Sequence, residues 1–386
     1  MESQSFLSRA GELRGELAEI WHTLHRHPEL GNQEHFTSKT IEAELRALGL
    51  EVRRVLDTGL AAELIGAEAG RTVVFRADMD ALPVQEATGV AFASEIPGCM
   101  HACGHDFHVT AALGAARLLA ERRDRLRGTV RFLFQPDEEG DGGAARLIAA
   151  GCLQGADAVF GAHVSPELPA GTVGVRYGKF YAASDMFNIA VRGRSCHAAT
   201  PEKGADALAA AAEMVGAAAA LRRELTELFG PTVISVGSLR AGTARNVIAD
   251  TAAMEGIIRT LGPQARAAAV EALRSRVEEI AAAHGVRAEF ERRESYPGVV
   301  NQDAATAHAE ASAVQMLGKD RVLRIDTPTM TTEDFGYYLQ CLPGSFYHIG
   351  VGGDQPLHSP RFLPDEAALP VAAAVHAQVL YDYLNK

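Results

Sequence analysis

The chain has 386 residues, of which 47% are hydrophobic and 22% charged, and its formal net charge is −12. That length suggests about two to three domains around sizeable cores. The acidic balance argues against a nucleic-acid partner and against docking on anionic membranes, and no apolar run is long enough to span a bilayer, so the expected partner is a small molecule.

Phe6, Ala10, Leu13, Leu17, Ile20 and Leu24 recur at steps of four and three. This stripe predicts an amphipathic helix on a core rather than the apolar centre of a secretory leader. The five cysteines (Cys99, Cys103, Cys152, Cys196 and Cys341) are scattered and odd in number. A disulfide framework is therefore not expected, and a reducing cytoplasm is the expected location.

Strands are predicted at Ala61–Ile65, Thr72–Arg76, Thr129–Phe134 and Ala158–Ala162, and helices at Phe36–Leu48, Asp106–Arg123 and Ala144–Ala149. Gly49 stands where a C-terminal helix cap is expected. Such alternation predicts an α/β domain of three layers with a mostly parallel sheet. The pattern then changes. Asp185–Val191, Thr232–Leu239, Thr251–Leu261 and Val286–Arg292 read as strands, with long helices at Ala205–Phe229 and Gln264–His284. The order β-α-β-β-α-β is that of a ferredoxin-like α+β unit, so a lid or dimerisation domain is expected as an insertion. The expected boundaries are 1–182 for the first part of the catalytic domain, 183–295 for the insertion and 296–386 for the rest. Gly178–Ala183 and Ser295–Val300 are the expected hinges. The α/β style returns with a helix at Ala304–Met316, a buried strand at Phe346–Gly350 and a closing helix at Val371–Leu384.

Four spots carry chemistry, each predicted to follow a strand or open a helix. Cys103 and His105, in the run Met100–Asp106, are two apart, so an extended segment points both side chains the same way. Thiolate and imidazole suit zinc and similar metals, but a small core cysteine and a packed histidine fit the pair equally well. Glu138 and Glu139 end the strand Val130–Phe134. Adjacent carboxylates commonly mark a solvated loop. The carboxyl edge of an open α/β sheet, however, is where sites form, and there one glutamate can hold metal while its neighbour acts as a base. His163 closes the strand Ala158–Ala162, and His358 follows the strand Phe346–Gly350. Either histidine alone reads as a packed or surface residue. Together, one Cys, three His and one Glu at the ends of different strands exceed one tetrahedral set and fit two metals sharing a bridge. Asp80 and Asp334 suit accepting a hydrogen bond from a ligating histidine, and they fit capping and turns as well.

At His25–Gly31, Arg76–Pro83, Met100–Asp106, Phe134–Gly140, Gly161–His163, Ser195–Pro201, Asn246–Ile248, Thr332–Phe335 and Leu357–Ser359 the chain resembles the amidohydrolase branch of the M20 metallopeptidase family. That branch includes hippurate hydrolases, aminoacylases, plant auxin-conjugate hydrolases and N-acetyldiaminopimelate deacetylases. The resemblance implies two divalent metal ions, zinc or manganese with cobalt or nickel tolerated. It implies Cys103, His105, Glu139, His163 and His358 as their ligands, with Cys103 as the bridge, and Glu138 as general base. It also implies His197 as a stabiliser of the oxyanion and Asn246 and Arg259 as partners of the substrate carboxylate. The implied reaction is hydrolysis of an N-acyl amino acid, and the implied assembly is a homodimer or homotetramer through the inserted domain. Asp137 departs from the branch's usual Ala, and Ala249 from its common Pro. Asp78 stands near a position that ligates metal in other branches, which makes it an outside candidate. Alternatives are a deacetylase of N-acetyldiaminopimelate or a dipeptidase within the family. Outside it, they are a hydrolase with Cys103 as nucleophile or a metal-binding module without catalysis.

Overall fold

The computed structural model describes residues 5–386, and the chain falls into two compact units. The first comprises Met1–Gly178, Asn301–Asp326 and Tyr337–Lys386, and the second Lys179–Val300 and Thr327–Gly336.

The first unit begins with helices α1 (Phe6–Glu12), α2 (Arg14–Arg26) and α3 (His35–Ala47). The single N-terminal stripe of the sequence is thus carried by two helices that meet at Leu13, and it stays buried at Phe6, Ala10, Leu13, Leu17 and Leu24. Both oxygens of Glu29 accept backbone N–H groups at the start of α3, from Phe36 and Thr37 at 2.9 Å each, which satisfies donors that a helix start leaves unpaired. There follow β1 (Glu51–Val55), β2 (Gly59–Ile65), β3 (Glu68–Asp78), α4 (His105–Ala120), β4 (Arg127–Gln135), α5 (Ala144–Ala149), β5 (Ala158–Ser165), β6 (Val173–Val175) and the short β7 (Gly178–Lys179).

The second unit contains β8 (Ala183–Arg192), α6 (Ala207–Phe229), β9 (Thr232–Ala241), β10 (Thr251–Thr260), α7 (Pro263–His284) and β11 (Arg287–Glu294). The chain then runs through β12 (Val300–Asn301), α8 (Asp303–Leu317), β13 (Val322–Arg324), α9 (Gly336–Cys341), β14 (Gly344–Gly350) and α10 (Leu369–Asn385).

Eight strands of the first unit lie in the order β1-β2-β4-β3-β5-β14-β6-β13. The centre is parallel: β3 runs parallel to both β4 and β5, and β14 parallel to β5. The β1–β2 hairpin and the β2–β4 and β14–β6 pairs are antiparallel. All eight residues of β5 are buried, as expected of a central parallel strand covered on both faces. Helix α4 is buried from His105 to Ala116, which explains why it lacks a polar face.

In the second unit the strand order β11-β8-β10-β9 is fully antiparallel, and α6 and α7 supply its separate core. Counted along the chain this order is 4-1-3-2, the ferredoxin-like arrangement. Asp206 caps α6 by accepting from the Leu208 and Ala209 N–H groups, and α7 ends at Gly285 with φ of 64°. The segment Thr327–Gly336 belongs with this unit because it pairs with residues at the unit's start: Ala182 N–H donates to the Thr331 carbonyl and Thr329 N–H to that of Phe180. Among the described residues no helix is long and apolar enough to cross a membrane.

Candidate metal centre

Gly104 determines how the first two candidates meet. The sequence pattern predicts an extended Cys-x-His, but the chain turns sharply at Gly104 (φ 83°, ψ 21°) and His105 opens α4. A left-handed residue reverses the chain as an extended one does not, and glycine takes that conformation without a Cβ clash. Ligand atoms of Cys103, His105 and His163 lie within 4.8 Å of one another, as do those of Cys103, Glu139 and His358. The two groups share Cys103, the place a bridging ligand has to occupy. His105, Glu138 and Glu139 form a further such group. His163 does not terminate its strand as the pattern suggests. It lies within β5, beside His348 in the register with β14.

The donor set fits metal. His105 Nε2 and Glu139 Oε1 are buried and have no hydrogen-bond partner. Glu139 Oε1 comes within 3.0 Å of His358 Nε2, which brings two ligand atoms side by side. Cys103 Sγ lies 3.4 Å from His163 Nε2. Burial and the carboxylates of Glu139 and Glu138 push the Cys103 thiol well up. Burial drives His163 well below its usual value, as a neutral ligand requires. Burial also acts downward on His105, but Asp78, Asp80 and Glu139 outweigh it and raise this group to about 10. Several carboxylates around a buried imidazole form a pocket of negative charge that a divalent cation would neutralise.

Supporting contacts hold these candidate ligands. Oδ1 of Asp80 lies 3.2 Å from His105 Nδ1, and Oδ2 accepts the Glu139 N–H at 2.9 Å. The His358 N–H donates to the carbonyl of Ala102, next to Cys103. Asp78, the outside candidate, has both oxygens engaged, one by His108 Nδ1 at 2.6 Å and the other by Arg76 Nη1 at 2.7 Å. Asp137 adopts φ of 60°, which an aspartate tolerates better than an alanine. Its carboxylate binds Arg146 Nη2 at 2.8 Å, and its N–H donates to Glu34 at 3.0 Å. Asp137 thus spends its charge on Arg146.

The other candidates lie in the second unit. His197 forms an isolated antiparallel bridge with Val247, and the Ala198 N–H donates to the Asn246 carbonyl, so His197 and Asn246 are on adjacent segments. Nδ1 of His197 accepts the Ala199 N–H at 3.0 Å, which puts the ring proton on Nε2. Arg259 sits on β10 with Nη1 on the Met330 carbonyl at 2.9 Å and Nε without a partner. Asp334 is fully buried in this unit.

Several buried polar groups were given no role by the motif reading. His25 donates from Nδ1 to Asp106 at 2.7 Å, Glu34 is wholly buried, and His101 is buried with both ring nitrogens unpartnered. His108 carried a sequence signal, its spacing of three from His105 on one helix face.

Glu138, buried beside the ligands, belongs to neither of the two groups that meet at Cys103. A buried carboxylate beside metal-binding groups is placed as metal-assisted hydrolysis places its base, and the relatives below define the class, a metal-dependent hydrolase acting on amide bonds. Comparison with known proteins agrees. The chain belongs to peptidase family M20/M25/M40, whose profile matches residues 74–382. It is 42% identical over 359 residues to an N-acetylcysteine deacetylase of Bacillus subtilis, covering 92% of this chain and 93% of that one. It is 36% identical over 383 residues to IAA-amino acid hydrolase ILR1-like 2 of Arabidopsis thaliana, covering 96% and 85%. A crystal structure of a Bacillus subtilis dinuclear metal-binding peptidase of the M20 family matches with a TM-score of 0.87 at 39% identity, covering 97% of this chain and 99% of that chain.

Proposed function

We propose that the enzyme hydrolyses the amide bond of small N-acyl amino acids, releasing a carboxylic acid and a free amino acid. The carrying observation is the meeting of two ligand groups at Cys103 with the buried carboxylate of Glu138 at hand. The relatives above support the substrate class, since their names describe an acyl group linked to an amino acid.

Cys103, His105, Glu139, His163 and His358 would hold two divalent ions, zinc or manganese with cobalt or nickel tolerated. Such ions supply Lewis acidity and lower the pKa of water. Glu138 takes the proton from the attacking water and returns it to the amine, which leaves poorly as an anion. His197 offers its Nε2–H to the oxyanion, and Asn246 and Arg259 hold the substrate carboxylate. Asp80 fixes the His105 tautomer, the role also proposed for Asp334 with a ligating histidine.

Residues 183–295 act as lid and dimerisation domain between catalytic segments 1–182 and 296–386. The edge strand β9 carries Arg240 as its sole charge, whereas the opposite edge β11 carries Arg287, Glu289, Glu291, Arg292, Arg293 and Glu294. Charge protects an edge from pairing, so β9 is the edge that admits a second copy, in a homodimer or homotetramer. Free cysteines throughout fit a cytoplasmic site of action.

Cys103 as a nucleophile is disfavoured, because its thiol is pushed up where a nucleophile needs it lowered. The test is product release from a panel of N-acetyl, N-benzoyl and longer N-acyl amino acids, N-acetyldiaminopimelate and dipeptides. Glu138→Gln should keep its metal and lose most turnover. Wild-type-like turnover in that variant would remove Glu138 from the mechanism, and a metal-loaded enzyme inert on the whole panel would remove the substrate class.

A further inference from the structure

We infer that His108 is a positioning residue for the metal centre: it replaces a missing strand partner of β5 and thereby fixes the ring and tautomer of His163. The inference rests on the reading of His163 as a metal ligand.

The need arises from the sheet. Strand β3 pairs with β5 only as far as Arg76 opposite Gly161, while on the other side β14 accompanies β5 to Ser165. Beyond Gly161, β5 therefore has no strand on its β3 side, and a buried backbone N–H there must find an acceptor elsewhere. The Val164 N–H finds it in Nε2 of His108 at 2.9 Å. This is the N–H of the peptide that follows His163, so the contact restrains the backbone on which His163 stands.

The proton positions follow. Nε2 of His108 accepts and carries no hydrogen, so the ring proton is on Nδ1 and is donated to Asp78 Oδ1 at 2.6 Å. Asp78 is anchored by Arg76, whose Nε donates to Gln135 Oε1 at 2.9 Å. That oxygen also accepts the Tyr338 hydroxyl at 2.9 Å. Gln135 closes β4, three residues before Glu138. On the far side, Nδ1 of His163 donates to the Val164 carbonyl at 2.8 Å, which leaves the Nε2 lone pair facing Cys103. The backbone of Val164 is thus held through its N–H by His108 and through its carbonyl by His163. A continuous buried chain, Gln135–Arg76–Asp78–His108–Val164–His163, ties the strand that leads to the glutamates to the strand bearing His163. Such outer contacts set ligand orientation and tune metal affinity.

The chemistry separates two substitutions. Glutamine places its amide near the position of Nε2 and can still accept from Val164. Asparagine places its amide near Nδ1, keeps a donor for Asp78 and cannot reach Val164. The experiment strips the purified chain of metal and titrates it with cobalt(II), reading stoichiometry by equilibrium dialysis and ligand geometry by visible absorption. His108→Asn should lose affinity for one of two ions by roughly 10–100-fold and shift the cobalt spectrum, and His108→Gln should restore most of both. Wild-type binding and spectrum in His108→Asn would overturn the inference, and so would equal losses in the two variants, which would mark simple packing. If His108→Asn does not fold, nitrogen-15 NMR of the wild-type histidines decides: a proton on Nε2 of His108 overturns the inference. Wild type that binds no cobalt would instead overturn the metal-site reading beneath it.

Discussion

Nδ1 of His105 faces Oδ1 of Asp80 at 3.2 Å, while the other oxygen of the same carboxylate accepts the Glu139 N–H at 2.9 Å. One side chain thus orients His105 at a helix start and the backbone of Glu139 in the turn after β4. Asp80→Asn replaces one acceptor by a donor and must lose one contact or the other. Metal affinity should fall by about 10–100-fold, measured by equilibrium dialysis. An unchanged affinity would reduce Asp80 to a loop residue.

Metal binding should release protons. Cys103 is held protonated by burial and nearby carboxylates, and His105 is raised to about 10, so both carry protons at neutral pH in the metal-free protein. Ligation requires both to be deprotonated. Calorimetric titration in buffers of different ionisation enthalpy should show one proton from each group. A binding enthalpy independent of buffer would contradict the assignment of these two ligands.

Gly104→Ala should damage the site through the backbone. A Cβ at that position would lie 2.7 Å from Val164 Cγ2, and φ is 83°. The left-handed strain alone is of order 1–3 kcal/mol. The expected result is a melting temperature lowered by several degrees and weakened binding at both ligand groups, because the turn sets Cys103 against His105. Retention of wild-type stability would mean that the turn is not needed.

The pair of His25 and Asp106 predicts a pH dependence of stability. Burial works against the charged imidazole, but Asp106 and Glu86 outweigh it and raise His25 from 6.5 to about 9. A raised folded-state value stabilises fully below the unfolded value and is lost as pH rises through the folded one. The His25 contribution to the stability of the metal-free protein, at most about 3 kcal/mol, should therefore be lost as pH rises from 6.5 to about 9. Denaturant melts should show a shallower slope in His25→Gln than in wild type, the remainder coming from His105, which is raised in the same direction.

The residues that gather around Cys103 stood out because most lie in short runs near a strand end or helix start, where distant parts of an α/β chain converge, while His163 lies inside β5. The ferredoxin-like order was legible because hydrophobic alternation and two long helices mark it. What supports the ligands was not. The role of His108 depends on where β3 leaves the side of β5, a fact of sheet register that no local pattern carries. The turn at Gly104 was read as extended because alternation alone does not reveal a left-handed residue. Thr327–Gly336 lies with the second unit through two backbone hydrogen bonds that are independent of side-chain type. Leu13 interrupts the first helical stripe between Gly11 and Gly15, a break that the spacing of the apolar positions alone does not show.

His358 has φ of 66°, a backbone shape that suits glycine far better than a β-carbon. Directed evolution ranked only by thermal survival would therefore favour exchanging it for glycine, a relaxed residue that binds no metal. With His358 as the proposed metal ligand, stability and chemistry select in opposite directions at this one codon. A stabilised descendant of the enzyme should be sequenced there before its loss of turnover is blamed on anything remote.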